Sequence, residues 1–235
     1  MKDLQSAINE EKLYIADRLN NVSTSLPDRL KQYGYESLTE YFNEKREYLF
    51  QQWQPEVYYV DVSTLTTELE NAVQSGKYGI YISTADGMYA FHGSDEIDYE
   101  LCKELGVCVA ELYHKGGTII GSSEDLGIEI VAPREFGLDS KFFLNKFYEI
   151  ISRYEDNVVI SGNDILVNGN KVLGSMRRDI GGTFVWAAQI SFGNYDEVIE
   201  KVCNKKSKKK PGRLDTGKLK RDDLEKEVLK WLQKL

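Results

Sequence analysis

Histidine is almost missing from this chain. Of 235 residues only His92 and His114 are histidines, too few for a multi-histidine metal centre and a poor start for a serine triad. Cysteine is scarce as well. Cys102, Cys108 and Cys203 show no metal-ligand spacing, and an odd count builds no disulfide framework; this points to a reducing, cytoplasmic setting. No apolar run approaches the roughly 18 residues that cross a bilayer, and Met1-Lys2-Asp3 does not open a signal peptide. A membrane partner is therefore not expected. Apolar residues, in contrast, make up 41% of the chain and aromatics 11%. That is enough for a full core, and one domain with extensions is the natural expectation at this length.

The net charge of −8 is unevenly spread. Residues 200–221 hold ten Lys and Arg against Glu200 and Asp215, a local charge of +8, which leaves −16 for the remainder. Such segregation suggests a basic tract with an acidic partner. Nucleic acid is a weaker alternative, because no aromatic residues interleave the lysines.

The stretch around which the chain is organised is 161–176, SGNDILVNGNKVLGSM. Asn168-Gly169 suits a two-residue type I′ turn, whose central residues both need positive φ. With Ile165, Leu166 and Val167 before it and Val172 and Leu173 after, the segment reads as a hairpin. That register sets Val167 opposite Asn170, Leu166 opposite Lys171 and Asp164 opposite Leu173. Asp164, Leu166, Lys171 and Leu173 then share a face, with Asp164 and Lys171 diagonal neighbours about 7–8 Å apart at the backbone. A carboxylate and an ammonium so placed could grip an anionic or metal-bound ligand, or form a surface ion pair.

Elsewhere, helices are expected over 3–20, with Leu4, Ile8, Ile15 and Leu19 on one face, over 25–33, and behind the capping box Ser37-Leu38-Thr39-Glu40, where Tyr41, Phe42, Tyr48, Leu49 and Trp53 keep helical period. Strands are expected at 56–62, 78–83, 88–91, 107–112 and 126–132. The second and third of these form a hairpin across Ala85-Asp86-Gly87. Helices are expected at 64–75, 94–105, 195–202 and from Asp139 or Ser140 through Tyr154. Gly181-Gly182 joins a further strand to the first hairpin, making an antiparallel meander over 157–192. A last helix carries Leu224, Val228, Trp231, Leu232 and Leu235 as one stripe. Three regions follow: a helical extension (1–54), a main domain (55–203), and a basic linker with a C-terminal helix (204–235).

Asn163-Asp164-Ile165, a short turn, and Asn170-Lys171-Val172-Leu173-Gly174-Ser175 resemble the core of the lipoate–protein ligase, biotin–protein ligase and octanoyl transferase superfamily, nearest to lipoate–protein ligase. The loop Tyr113-His114-Lys115-Gly116-Gly117-Thr118, between two strands, resembles that family's glycine loop. Lipoate ligases carry an Arg-Arg pair before the glycines; here Lys115 stands alone, as in the octanoyl transferases. Arg177 and Arg178 resemble the family's Ser-x-x-Arg.

The resemblance implies an α/β fold with a mixed, mainly antiparallel central sheet flanked by helices. It also implies an enzyme that activates lipoate or octanoate with ATP and Mg2+ and transfers the acyl group to a lysine of an acidic, lipoyl-type carrier domain. On that reading Lys171 holds the carboxylate under attack, and Asp164 orients it or a magnesium ion. Lys115, Gly116, Gly117, Thr118, Asn163, Gly174 and Ser175 then line the nucleotide and acyl group, with His114 and His92 as possible further contacts. Octanoyl or biotin transfer, or a binding module that kept the fold without the chemistry, are the alternatives.

Overall fold

The computed structural model describes residues 2–18, 25–92, 97–111, 118–194, 196–203 and 210–233. The chain divides into two compact units, Met1–Gln54 with Glu135–Gly137 and Leu235, and Pro55–Arg134 with Leu138–Lys234.

The smaller unit is built on helices α1 (Leu4–Arg18), α2 (Leu26–Leu30) and α3 (Leu38–Gln52). The capping box forms: Ser37 Oγ accepts the Glu40 N–H at 3.1 Å, and Glu40 Oε2 accepts the Glu36 N–H at 3.1 Å. Ala7, Ile8, Leu26, Leu30, Tyr35 and Tyr41 make its core. The expected inner face of α1 is corrected. Ile15 is 58% exposed, whereas Glu11 is buried beside Ala7 and Ile8. The Glu11 carboxylate accepts the Tyr41 hydroxyl and pairs with the buried Lys45 ammonium, so a charge is tolerated inside because it is paired. Phe42 is half-exposed while its neighbour Tyr41 is fully buried, and Trp53 packs edge-on against Phe136. Leu19 lies outside the described residues.

The larger unit runs β1 (Glu56–Asp61), α4 (Leu65–Ser75), β2 (Gly79–Thr84), β3 (Met88–His92), α5 (Tyr99–Glu104), β4 (Cys108–Glu111), β5 (Ile119–Ser122), β6 (Leu126–Pro133), α6 (Ser140–Ile151), β7 (Val158–Ser161), β8 (Asp164–Val167), β9 (Asn170–Ile180), β10 (Thr183–Ile190), α7 (Asp196–Val202) and α8 (Arg221–Gln233). Seven strands form one sheet in the order β1-β2-β6-β10-β9-β8-β7, parallel only between β1 and β2. A second sheet has the order β4-β3-β5. The fold is thus the expected α/β arrangement with a mixed, mainly antiparallel sheet.

Two local expectations are overturned. Strands β2 and β3 are not a hairpin: they belong to different sheets. β2 has β1 on one side and β6 on the other, so it has no free edge for β3. Helix α5 begins at Tyr99, not Ser94, because the Asp98 carboxylate caps it, accepting the Leu101 N–H at 3.0 Å. The meander from β7 to β10 forms, with Asn168 (φ 50°) and Gly169 (φ 80°) in the first expected turn and Gly181 and Gly182 in the second.

Alternation along the strands separates the two faces of the large sheet. One face carries Ile128, Ile130, Phe184, Trp186 and Leu173 and is covered by α6, with Phe143 stacked on Trp186 at 4.8 Å. Helix α8 closes over α6, burying Leu224, Val228 and Leu232 completely; the stripe expected to need a docking surface finds it within this unit. Leu235 lies outside the described residues. The other face carries Tyr81, Ser83, Gly127, Glu129, Val131, Ala187, Gln189, Gly174 and Asp164. It is partly covered by α4 and the small sheet, through Leu65, Leu69, Tyr89 and Phe91.

Candidate functional site

Near the turn the predicted hairpin register holds: Val167 faces Asn170 and Leu166 faces Lys171. Beyond Leu166 a β-bulge intervenes, so Ile165 faces Leu173 and Asp164 faces Gly174 instead of Leu173. The extra residue, Val172, is 1% exposed and Leu173 is fully buried. Two consecutive apolar side chains thus enter the α6 side, and Leu173 does not share the face of Asp164. A bulge does this because it opposes two residues to one and locally breaks the alternation.

Asp164 and Lys171 nevertheless meet, with Lys171 Nζ 3.0 Å from Asp164 Oδ1. The lysine stem runs across the α-carbon of Gly174. A Cβ at that position would lie 2.7 Å from both Lys171 Cε and Nζ. Glycine here lets the lysine stem approach closely, and serves no unusual φ. The Asp164 side chain is mostly covered and the Lys171 side chain is 38% exposed, so the pair is open to solvent on the lysine side. Exposed ion pairs of this kind stabilise by under about 1 kcal/mol, so fold stability alone does not explain the arrangement.

Of the other expected site residues, Asn163 and Ser175 bond to each other. The Asn163 carbonyl accepts the Ser175 N–H at 2.9 Å and its hydroxyl at 2.8 Å, tying the β7–β8 turn to β9. Thr118 is half-buried immediately before β5. His114, Lys115, Gly116 and Gly117 lie outside the described residues. Arg177 is on the α6 side of the sheet, its guanidinium over the Phe184 ring and paired with Asp179 Oδ2 at 2.7 Å, away from Lys171. Arg178 projects from the Lys171 side, further along β9. His92 ends β3 edge-on to Tyr99, with a buried Nδ1 that has no hydrogen-bond partner among the described residues.

Sequence reasoning passed over three features. Glu129, in the middle of β6, shares the sheet face of Gly174 and Asp164. It is 7% exposed, its Oε2 has no hydrogen-bond partner among the described residues, and burial pushes its carboxyl up to about 8. The signal was there: a lone carboxylate inside the apolar run Leu126-Gly127-Ile128-Glu129-Ile130-Val131. Second, Gln189 joins the two sheets, accepting the Tyr89 hydroxyl and donating to the Ile120 carbonyl at 3.2 Å. Third, the buried Asp125 carboxylate accepts the Phe192, Gly193 and Ser122 backbone N–H groups, pinning the chain as it leaves β10.

The two sheets, with the lysine and carboxylate on the face that the second sheet partly covers, make up a fold that solved structures share. The P. falciparum LipL1 in complex with lipoate superposes with a TM-score of 0.62 at 15% identity, over 75% of this chain and 60% of that one. This chain has the lipoate–protein ligase fold. The T. acidophilum protein Ta0514 with bound lipoic acid gives 0.58 at 15% identity, over 77% of this chain and 84% of that one. Lipoate-protein ligase A bound with ATP gives 0.59 at 14%, with the same coverage. No family model and no curated protein matches the sequence. The chain spans 60% of the length of P. falciparum LipL1.

Among the described residues no group of three or more His, Cys, Asp or Glu gathers as a metal cage, and no helix is long and apolar enough to cross a membrane. Asp164 is a single carboxylate. That fits a Mg2+ arriving with a nucleotide, since this ion commonly takes one or two carboxylates and completes its shell with phosphates and water.

Proposed function

We propose that the protein is an acyl-adenylate-forming ligase that attaches lipoate, or octanoate, to a lysine of a carrier protein domain. The observation that carries this reading is the Lys171 ammonium, held over Gly174 and paired with Asp164 at 3.0 Å. Similarity to structures that hold lipoate and ATP supports it, as does similarity to an archaeal bipartite lipoate protein ligase from Thermoplasma acidophilum described with its E2 lipoyl domain.

In the first step a substrate carboxylate oxygen attacks the α-phosphorus of ATP and pyrophosphate leaves, giving an acyl-AMP. In the second, the amine of a carrier lysine attacks the acyl carbonyl and AMP leaves with the bonding pair. Both steps collect negative charge between carboxylate and phosphate. A fixed ammonium at that point lowers both barriers, because its position is set before the charge develops. Asp164 orients the ammonium. Mg2+ carried in with the phosphates, with Asp164 as its protein ligand, would neutralise the leaving pyrophosphate. On this reading Lys115, Gly116, Gly117 and Thr118 are assigned to nucleotide binding by their sequence pattern.

The test is incubation with ATP and lipoate, octanoate or biotin, with acyl-AMP detected by mass spectrometry. Lys171→Gln keeps most of the stem, removes the charge, and should slow acyl-AMP formation by roughly 10²-fold. If wild type forms no acyl-AMP and gains no thermal stability from lipoyl-AMP, the ligase reading fails. If it gains stability without turnover, and Lys171→Gln abolishes the gain, the protein is a binding module.

A further inference from the structure

Lys171 lies where β9 has run out of its regular neighbour. β10 ends at Ile190, opposite Leu173, and Ser191 still donates to the Val172 carbonyl at 2.9 Å. Beyond that point the edge beside Lys171 is occupied by the C-terminal segment. The Lys171 N–H donates to the Lys210 carbonyl at 2.8 Å, and the Gly212 N–H donates to the Lys171 carbonyl at 2.8 Å, forming a parallel bridge at Pro211. A residue has one backbone N–H, so that of Lys171 is committed to this strap and not to β8.

The approach is close. A Cβ on Gly212 would lie 2.6 Å from Asn170 Cβ and 3.3 Å from the Asn170 carbonyl carbon. The strap is in turn anchored to the body. The Leu214 N–H donates to the Ser191 carbonyl at 2.9 Å, and Leu214 is 1% exposed. Buried Glu155 accepts the Asp215 N–H at 2.9 Å and the Lys218 ammonium at 3.2 Å.

We propose that the strap Lys210–Gly212 fixes the Lys171 backbone and so acts, beside Asp164, as a positioning element for the Lys171 ammonium. Lys171 is preceded by a two-residue turn and followed by a bulge, both of which interrupt the regular ladder. Without the strap this short piece would be an open strand edge. A small backbone rotation there is amplified by a four-carbon stem into an ångström-scale shift of the charge, and displacements of about 1 Å cost up to about 10²-fold in rate. The inference rests on the reading that Lys171 meets the substrate carboxylate and phosphate.

The test is a double-mutant cycle on the full chain with Gly212→Ala and Lys171→Gln. The readout is the Kd of octanoyl- and lipoyl-sulfamoyl-adenosine, non-hydrolysable mimics of the acyl-adenylate, with urea unfolding as a control. Gly212→Ala should weaken binding about tenfold in the wild-type background and not at all once Lys171 is Gln, since coupled residues are non-additive. An equal loss in both backgrounds, or no loss in either, overturns the inference while the ligase reading stands. If Lys171→Gln itself leaves binding unchanged, the ligase reading falls and takes the inference with it. Should Gly212→Ala not fold, Leu214→Ala, which loosens the strap's anchor two residues further on, goes through the same cycle with the same criteria.

Discussion

Replacing Glu129 with Gln should stabilise the protein at neutral pH and leave it unchanged in acid. Glu129 lies inside β6, 7% exposed, with no hydrogen-bond partner for Oε2 among the described residues, and burial raises its carboxyl from an ordinary 4.5 to about 8. The folded chain therefore keeps its proton over a range in which the unfolded chain has lost it. Below pH 4.5 both states are protonated and the group makes no difference. Between 4.5 and 8 the folded state binds more protons, so stability falls as pH rises, and above 8 the loss levels off. Each pH unit inside that window costs about 1.4 kcal/mol, so the wild type should lose about 2–3 kcal/mol between pH 5 and pH 7 through this residue alone. Glu129→Gln keeps the shape and does not titrate. Urea unfolding of both proteins at several pH values should show a stability difference that is smallest below pH 4.5 and grows by about that amount between pH 5 and pH 7. A difference that stays constant with pH would refute the reasoning, because it would mean that Glu129 reaches water or a partner and ionises in the folded protein.

Two further outcomes are expected. Gly174→Ala places a Cβ 2.7 Å from Lys171 Cε and Nζ; the lysine must swing aside, so acyl-AMP formation should drop at least tenfold while stability changes by under about 1 kcal/mol. An unchanged rate would show that Lys171 does not act from over Gly174. Reversing charge at Lys208, Lys209 and Lys210 should slow association with an acidic carrier domain, more at low ionic strength, in stopped-flow measurements; a rate independent of both charge and salt would make the tract a linker.

What the sequence determined by itself was local. Asn168-Gly169 and Gly181-Gly182 specified their turns because positive φ is a property of the residues in the turn. Ser37 and Glu40 specified the start of α3 because a cap is closed within one helical turn. The juxtaposition of Asp164 and Lys171 was also legible, since a two-residue turn sets the first pairs of a hairpin. The tertiary structure decided what depends on distant neighbours. Val172-Leu173 reads as ordinary alternating strand until α6 offers a surface that buries both, and the bulge follows. Tyr78 to Phe91 reads as a hairpin until β1 and β6 occupy both edges of β2. Arg177 and Arg178 are equivalent in sequence, and only the sheet assigns one to each face. That Glu129 is buried without a partner for Oε2 among the described residues, and that the backbone of Lys171 is held by residues 210–212, depend on contacts between segments remote in sequence. A residue's own chemistry selects its local geometry, but which strand edge, helix or carbonyl comes to lie against it is decided by how the whole core packs.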